Sequence, residues 1–274
     1  MTLETKGISK YIGKKSILND CSIKIKPGCF TAVVGPNGAG KTTLLKSLSG
    51  EDKPSTGKIV MNYKPLDDYQ GKELAINRAI LPQQTIVNFP FTVEQVIEIG
   101  RYPHNTSRTE NEAIIQEVMR QTALERFSGR IYQTLSGGEK QRVQMARVMA
   151  QLHHETDLTK YLLLDEPTSS LDLAQQHALL SIAKDLCGSN IGVLAVLHDL
   201  NLALQYADEI LFLKLGQTVA YGKSEEVVTE ETIEDTFSYP VTLLENQGRK
   251  IIVPKYFKEN FSAKTKQIAY EHSN

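Results

Sequence analysis

The sequence predicts an α/β fold carrying a helical insertion. Three observations support this: apolar runs of strand length recur along the 274-residue chain, a glycine-rich loop joins one of them to a helix, and a long central stretch switches to helical periodicity. A chain of this length can bury a full core and suits one large domain with a subdomain.

Near the N-terminus, Cys21-Ser22-Ile23-Lys24-Ile25-Lys26 alternates as a strand does, and Pro27-Gly28 turns it into the next run. Tyr11 lies ahead of that turn. Alone it would be ordinary packing, but before a phosphate loop an aromatic can stack on a nucleotide base. The run Phe30 to Val34 then feeds Gly35-Pro36-Asn37-Gly38-Ala39-Gly40-Lys41-Thr42-Thr43, followed by the apolar-periodic Leu44 to Leu48. Strand, glycine-rich loop and helix in register are the context in which G-x-x-x-x-G-K-[ST] is a phosphate loop. Its glycines let backbone N–H groups point inward, and the helix start adds its positive dipole end. Lys41 is expected to reach the outer phosphates and Thr42 to offer its hydroxyl to Mg²⁺.

Lys58 to Met61 and Ala79 to Leu81 read as strands, the second running into Pro82-Gln83-Gln84. Gln83, at a strand end, can ligate Mg²⁺ or hold a water. From Phe91 to Phe127 the pattern is helical. Thr92 to Gln95 and Thr109 to Glu112 both resemble capping boxes, and Ile115, Val118, Met119 and Thr122 line one helix face. This block predicts a helical subdomain over about 90–150 with a surface that can meet another protein.

Leu135-Ser136-Gly137-Gly138-Glu139 precedes a helix expected over 141–151. Ser136 with Glu139 is itself a capping box, yet two adjacent glycines at a helix start cost backbone entropy. They make sense if bare N–H groups must press on an anion. The polar stretch Leu152 to Lys160, including His153 and His154, reads as an exposed loop, since no carboxylate or cysteine cluster completes a metal site there. Tyr161 to Leu164 is an apolar strand ending in Asp165-Glu166. Asp165 is placed to hold Mg²⁺, and Glu166 to take a proton from the attacking water. Asp172 can cap the next helix or cross a subunit interface. The strand Gly192 to Leu197 delivers His198 to the mouth of a parallel sheet. Ile210 to Lys214 with Thr218 to Gly222 predicts a hairpin, Glu225 to Phe237 an acidic helix, and Val241 to Val253 a small strand pair.

A formal charge of -1 gives no basic excess for nucleic acid. Cys21, Cys29 and Cys187 lack C-x-x-C spacing and suit a reducing compartment. The N-terminus shows no signal-peptide core, and the apolar runs fall short of the roughly 20 residues a membrane helix needs. A soluble, cytoplasmic protein that can dock on a membrane partner is expected.

Taken together, these motifs resemble the nucleotide-binding subunit of an ATP-binding-cassette (ABC) transporter: Gly35 to Thr42 as Walker A, Gln83 as the Q-loop, Leu135 to Glu139 as the signature, Leu162 to Asp165 as Walker B, Ser170 to Asp172 as the D-loop and His198 as the switch histidine. The signature ends in Glu139 where many relatives have Gln. The resemblance implies a P-loop NTPase (RecA-like) core with an antiparallel β edge and an inserted α-helical subdomain, over residues 1–257, with 258–274 as a polar tail. It implies ATP and Mg²⁺ as ligands, with Tyr11, residues 35–43, Ser136, Gly137, Gly138 and Asp172 binding nucleotide. Thr42, Gln83 and Asp165 would hold the metal, and Glu166, His198 and Gln83 would serve catalysis. It further implies a homodimer of cassettes, two transmembrane permease subunits, an indirect link to a substrate-binding protein, and a peripheral place on the cytoplasmic face of the membrane. Within the family the chain looks most like hemin (haem) importers. Phe89-Pro90-Phe91-Thr92-Val93, Ile99 to Pro103, Leu152 to Lys160 and Glu166 to Leu173 carry that narrowing. Ferric-siderophore and cobalamin importers are the alternative. A non-transport cassette for translation, repair or iron–sulfur assembly is a further one, though the chain holds neither a second cassette nor a coiled-coil insertion.

Overall fold

A computed structural model describes residues 1–246 and 248–256; the expected polar tail over 258–274 lies outside them. The central sheet contains β4 (Phe30–Val34), β7 (Arg78–Leu81), β8 (Tyr161–Asp165), β9 (Gly192–Val196), β10 (Glu209–Lys214) and β11 (Gln217–Lys223), in the order β11-β10-β4-β9-β8-β7. All neighbours are parallel except the β10–β11 hairpin at one edge. A second, antiparallel sheet holds β1 (Leu3–Ile12), β2 (Lys15–Cys21), β3 (Lys24–Ile25), β5 (Thr56–Met61) and β6 (Lys64–Pro65). The hairpin β12 (Val241–Asn246) and β13 (Arg249–Pro254) stands apart as a third sheet. The helices are α1 (Lys41–Ser49), α2 (Gly71–Asn77), α3 (Val93–Glu98), α4 (Arg108–Gln121), α5 (Gly137–Leu152), α6 (Leu173–Cys187), α7 (Leu200–Tyr206), α8 (Ser224–Val227) and α9 (Glu230–Phe237).

The interiors of the parallel strands are mostly apolar because both faces of their sheet are covered. Period two divides β8: Leu162 and Leu164 join Phe30, Val34 and Ala195 in the core toward α3–α7, while Tyr161 and Leu163 face Leu44, Leu48, Leu3 and Met61, from α1 and the antiparallel sheet. α5 is the spine of the helical block, packing on α3, α4 and β7.

Local chemistry explains where elements start differently from expectation. Helix α4 is capped by Ser107, whose hydroxyl accepts from the Glu110 N–H at 3.2 Å, and not by Thr109. Serine is the stronger N-cap, and the chain leaving Pro103 reaches it first. The Thr92/Gln95 capping box forms as expected. Helix α5 begins at Gly137, four residues before the expected start, because the Ser136/Glu139 box caps it there. The acidic helix divides into α8 and α9, since Thr229 caps a new start through the Thr232 N–H. The Cys21–Lys26 alternation is split between the end of β2 and the two-residue β3.

The Leu152–Lys160 segment is not a free loop. His153 is exposed, but His154 is half-buried beside His104, with ring centroids 5.5 Å apart. Lys160 Nζ donates to the carbonyls of Leu152 (2.9 Å) and His154 (2.8 Å), and His104 Nε2 lies 2.8 Å from the Gln151 carbonyl. Arg101, 3% exposed, donates through Nη1 to the Ala150 and His153 carbonyls, both at 2.6 Å. Lys160 and Arg101 are cations on the last carbonyls of α5, at the negative end of its dipole, and the His104 ring sits beside them.

Candidate functional site

The strand order assembles the site. The loops after β4, β9, β8 and β7 lie side by side along one sheet edge, the carboxyl ends where open parallel sheets bind ligands. Residues 35–43, 83, 165–166 and 198 therefore meet despite their separation in the chain.

The phosphate loop is held by close packing. A Cβ on Gly35 would stand 2.1 Å from the Leu213 carbonyl oxygen on β10. Gly40, at φ 100° in the left-handed region, is the N-cap of α1 and supplies no side chain to its N–H groups, which stay open to an anion. A cavity of about 280 Å³ lies over this loop, lined by Lys15, Ile17, residues 37–43 and Glu166. Lys41 is 6% exposed and donates from Nζ to the carbonyls of Gly35 (2.7 Å) and Pro36 (3.0 Å). Burial pushes its ammonium pKa down, while the charges of Glu166 and Asp165 act to raise it. The side chain thus rests on the loop it would leave to reach a phosphate.

Glu166 sits at φ 46°, a left-handed conformation that costs a non-glycine residue energy and that clusters at functional sites. Gln83 Nε2 donates to its Oε2 at 2.7 Å, and His198 Nε2 lies 2.6 Å from its Oε1. A carboxylate can only accept, so His198 carries its proton on Nε2. The three residues proposed for catalysis from sequence thus form one hydrogen-bonded group at the rim of the cavity.

Asp165 Oδ1 is buried without a hydrogen-bond partner. Burial pushes its carboxyl pKa up, and the Glu166 charge adds to the rise. Thr42 is exposed and lines the same cavity. An orphaned carboxylate oxygen, a hydroxyl and the Gln83 amide are hard oxygen donors of the kind Mg²⁺ takes. Tyr11, near the end of β1, is 46% exposed. Lys15 and Ile17 were not singled out from sequence; they share one face of β2 by period two, but only the packing of β2 beside the loop turns that face to the cavity.

Ser136, Gly137 and Gly138 do not line this cavity. They open α5, with Ser136 and Gly137 exposed and the Ser136 N–H bonded to Glu139 Oε2 at 2.8 Å. Asp172 is also outside the cavity; it caps α6, accepting from the Gln175 N–H at 2.8 Å. Two helix starts suited to an anion therefore lie apart on one chain.

The family model described as ABC transporter matches residues 18–169, more than half of the chain. The chain belongs to the ABC transporter family. It is an ATP hydrolase of that family. Among relatives of this cassette, the hemin import ATP-binding protein of Rhizobium meliloti (strain 1021) is 42% identical over 232 residues, spanning 84% of this chain and 88% of the relative. That of Vibrio anguillarum is 45% identical over 238 residues, spanning 86% and 91%. The cassette also superposes on a solved inward-facing metal-chelate type ABC transporter at TM-score 0.78 and 26% identity, over 93% of this chain and 97% of that one. A dimeric ATP-binding cassette bound to ADP and Pi matches at TM-score 0.70 and 27% identity, over 81% and 98%.

Proposed function

We propose that this chain is the energy-coupling ATPase subunit of a hemin importer. It would act as a pair of cassettes beneath two transmembrane permease subunits on the cytoplasmic face of the membrane, reached indirectly by a substrate-binding protein. No helix among the described residues is long and apolar enough to cross a membrane; in this reading the permease subunits carry the path.

The observation that carries the hydrolytic reading is Glu166, gripped by Gln83 and His198 above the phosphate-loop cavity. ATP would seat its phosphates on the amides of residues 35–43 and its base against Tyr11, with Lys41 swinging from the Gly35 carbonyl to the outer phosphates. Glu166 takes the proton of the attacking water, and Gln83 and His198, already on its oxygens, orient it and sense the γ-phosphate. Mg²⁺, when held by Asp165, Thr42 and Gln83, supplies charge neutralisation to the phosphates. Ser136, Gly137, Gly138 and Asp172 do not line this cavity and are proposed to close on the ATP of the facing copy.

The hemin assignment is supported by the 42–45% identity to hemin import proteins over most of both chains. The test is ATP turnover by the purified complex with its permease and binding protein. Hemin-loaded binding protein is expected to stimulate it. Stimulation by a ferric siderophore or by cobalamin instead would favour the second reading, a different metal-chelate importer, which the structural match to a metal-chelate type transporter also suits.

A further inference from the structure

The two glycines that open α5 have different surroundings. Around Gly137 an added Cβ would meet nothing within 4 Å. At Gly138 it would stand 2.2 Å from Cδ and Oε1 of Gln175 and 2.4 Å from Nε2. Gln175, on the first turn of α6, thus fills the space that a side chain at 138 would occupy. One turn into α5, Gln141 Nε2 donates to the Pro167 carbonyl at 3.2 Å. The segment between these contacts is tied to itself: Ser169 donates from N and Oγ to the Glu166 carbonyl, at 3.1 and 3.0 Å, and Gln176 Nε2 donates to the Thr168 carbonyl at 3.3 Å. The N–H of Gln175 is held by Asp172.

We infer that Gln175, together with Gln141, is a positioning pair that fixes the N-terminal turn of α5 against the Glu166–Asp172 loop of the same chain. Beside the packing of α5 on α3, α4 and β7, these contacts at Gly138 and Gln141 pin its first turn at two points. The exposed start of α5 at Ser136 and Gly137 then holds a constant relation to the carboxylate of Glu166. A change at the Glu166 loop then reaches the first turn of α5, and with it the surface that meets the second cassette, through these two contacts. Both side chains are neutral amides, so the coupling rests on shape and hydrogen bonding and is insensitive to salt. The inference rests on the proposed role of residues 136–138 toward the facing copy.

The test is a double-mutant cycle of Gly138→Ala and Gln175→Ala, alone and combined, on the full chain, read as kcat/KM for ATP. Residues in contact depart from multiplicative effects. The expected result is a departure of about three-fold or more, with the double variant no worse than the poorer single one. Multiplicative effects within about two-fold would overturn the inference. A second measurement guards against misfolding: Gln175→Ala removes the side chain that fills the space beside Gly138. Placed in a Glu166→Gln background, it is expected to leave ATP affinity at the phosphate loop and the melting temperature unchanged while weakening ATP-driven pairing by about ten-fold, of the order seen for contacting groups. Unchanged pairing, or a loss that only follows a lowered melting temperature, would count against the pair. Ser136→Ala separates the two levels. If it leaves pairing intact, the reading of the α5 start as a partner site fails; if it weakens pairing while the cycle is multiplicative, only the positioning pair fails.

Discussion

Replacing Glu166 by Gln tests the centre of the mechanism with the least change of shape. The carboxylate accepts from two donors at once, Gln83 Nε2 at 2.7 Å and His198 Nε2 at 2.6 Å. A glutamine offers one acceptor and one donor group, so one contact becomes donor against donor until a neighbour turns. Gln83 can flip its amide, and His198, with 47% of its side chain exposed, can change tautomer. The structural cost is therefore small, and the melting temperature should hold. The chemical cost is large, because the amide cannot take a proton from water. Losing a general base lowers turnover by about 10²–10⁴-fold, or about 2.7–5.4 kcal/mol of barrier. Phosphate release under saturating ATP measures the rate, and binding of a fluorescent ATP analogue measures the seat. We expect binding to persist, because the loop amides and Lys41 are untouched. Turnover within three-fold of the wild type would refute the role of Glu166 as base.

Gly35→Ala would drive its Cβ to 2.1 Å from the Leu213 carbonyl, a backbone atom that cannot step aside. A stability loss of at least about 2 kcal/mol by urea titration is expected, with loss of ATP binding; a variant that binds ATP normally would contradict it. Arg101→Met removes a donor from two carbonyls at the end of α5 in a nearly closed site; Ala150 keeps the His153 N–H at 3.3 Å and the His153 carbonyl loses its guanidinium partner. The loss should cost about 1–3 kcal/mol, read from the urea midpoint, and a change under about 0.5 kcal/mol would show that water replaces the guanidinium. Burial, aided by the charges of Lys160 and His104, pushes His154 down to about 4 from its ordinary 6.5. The fold therefore holds it neutral, while the unfolded chain takes up a proton below 6.5, so stability falls as pH drops from 6.5 towards 4. His154→Gln should flatten that fall in melting temperature; an unchanged slope would assign the acid sensitivity elsewhere.

Glycine-rich loop, strand-end carboxylates and strand-end histidine are short-range features. Each is an apolar strand followed by chemistry, so the run and its terminus lie within a few residues and are legible in order. The capping boxes at Thr92 and Ser136 are local for the same reason, reaching only three residues. The Thr109 cap misled because Ser107 competes for the same helix and wins on intrinsic preference. The polar composition of Leu152 to Lys160 hid its role, since the carbonyls it ties down and the Arg101 that reaches them are about fifty residues apart.

By itself, the sequence determined which residues can do the chemistry and which strand each one ends. Backbone dihedrals and hydrogen-bonding side chains act over a few residues, and such local rules survive without knowledge of the rest. Tertiary structure alone decided their company. Placing β4, β9, β8 and β7 in that order is a matter of strand pairing and shared burial across the sheet. It is this pairing that sets Gln83 and His198 on the two oxygens of Glu166, leaves Asp165 Oδ1 without a partner, and keeps the start of α5 apart from the phosphate loop.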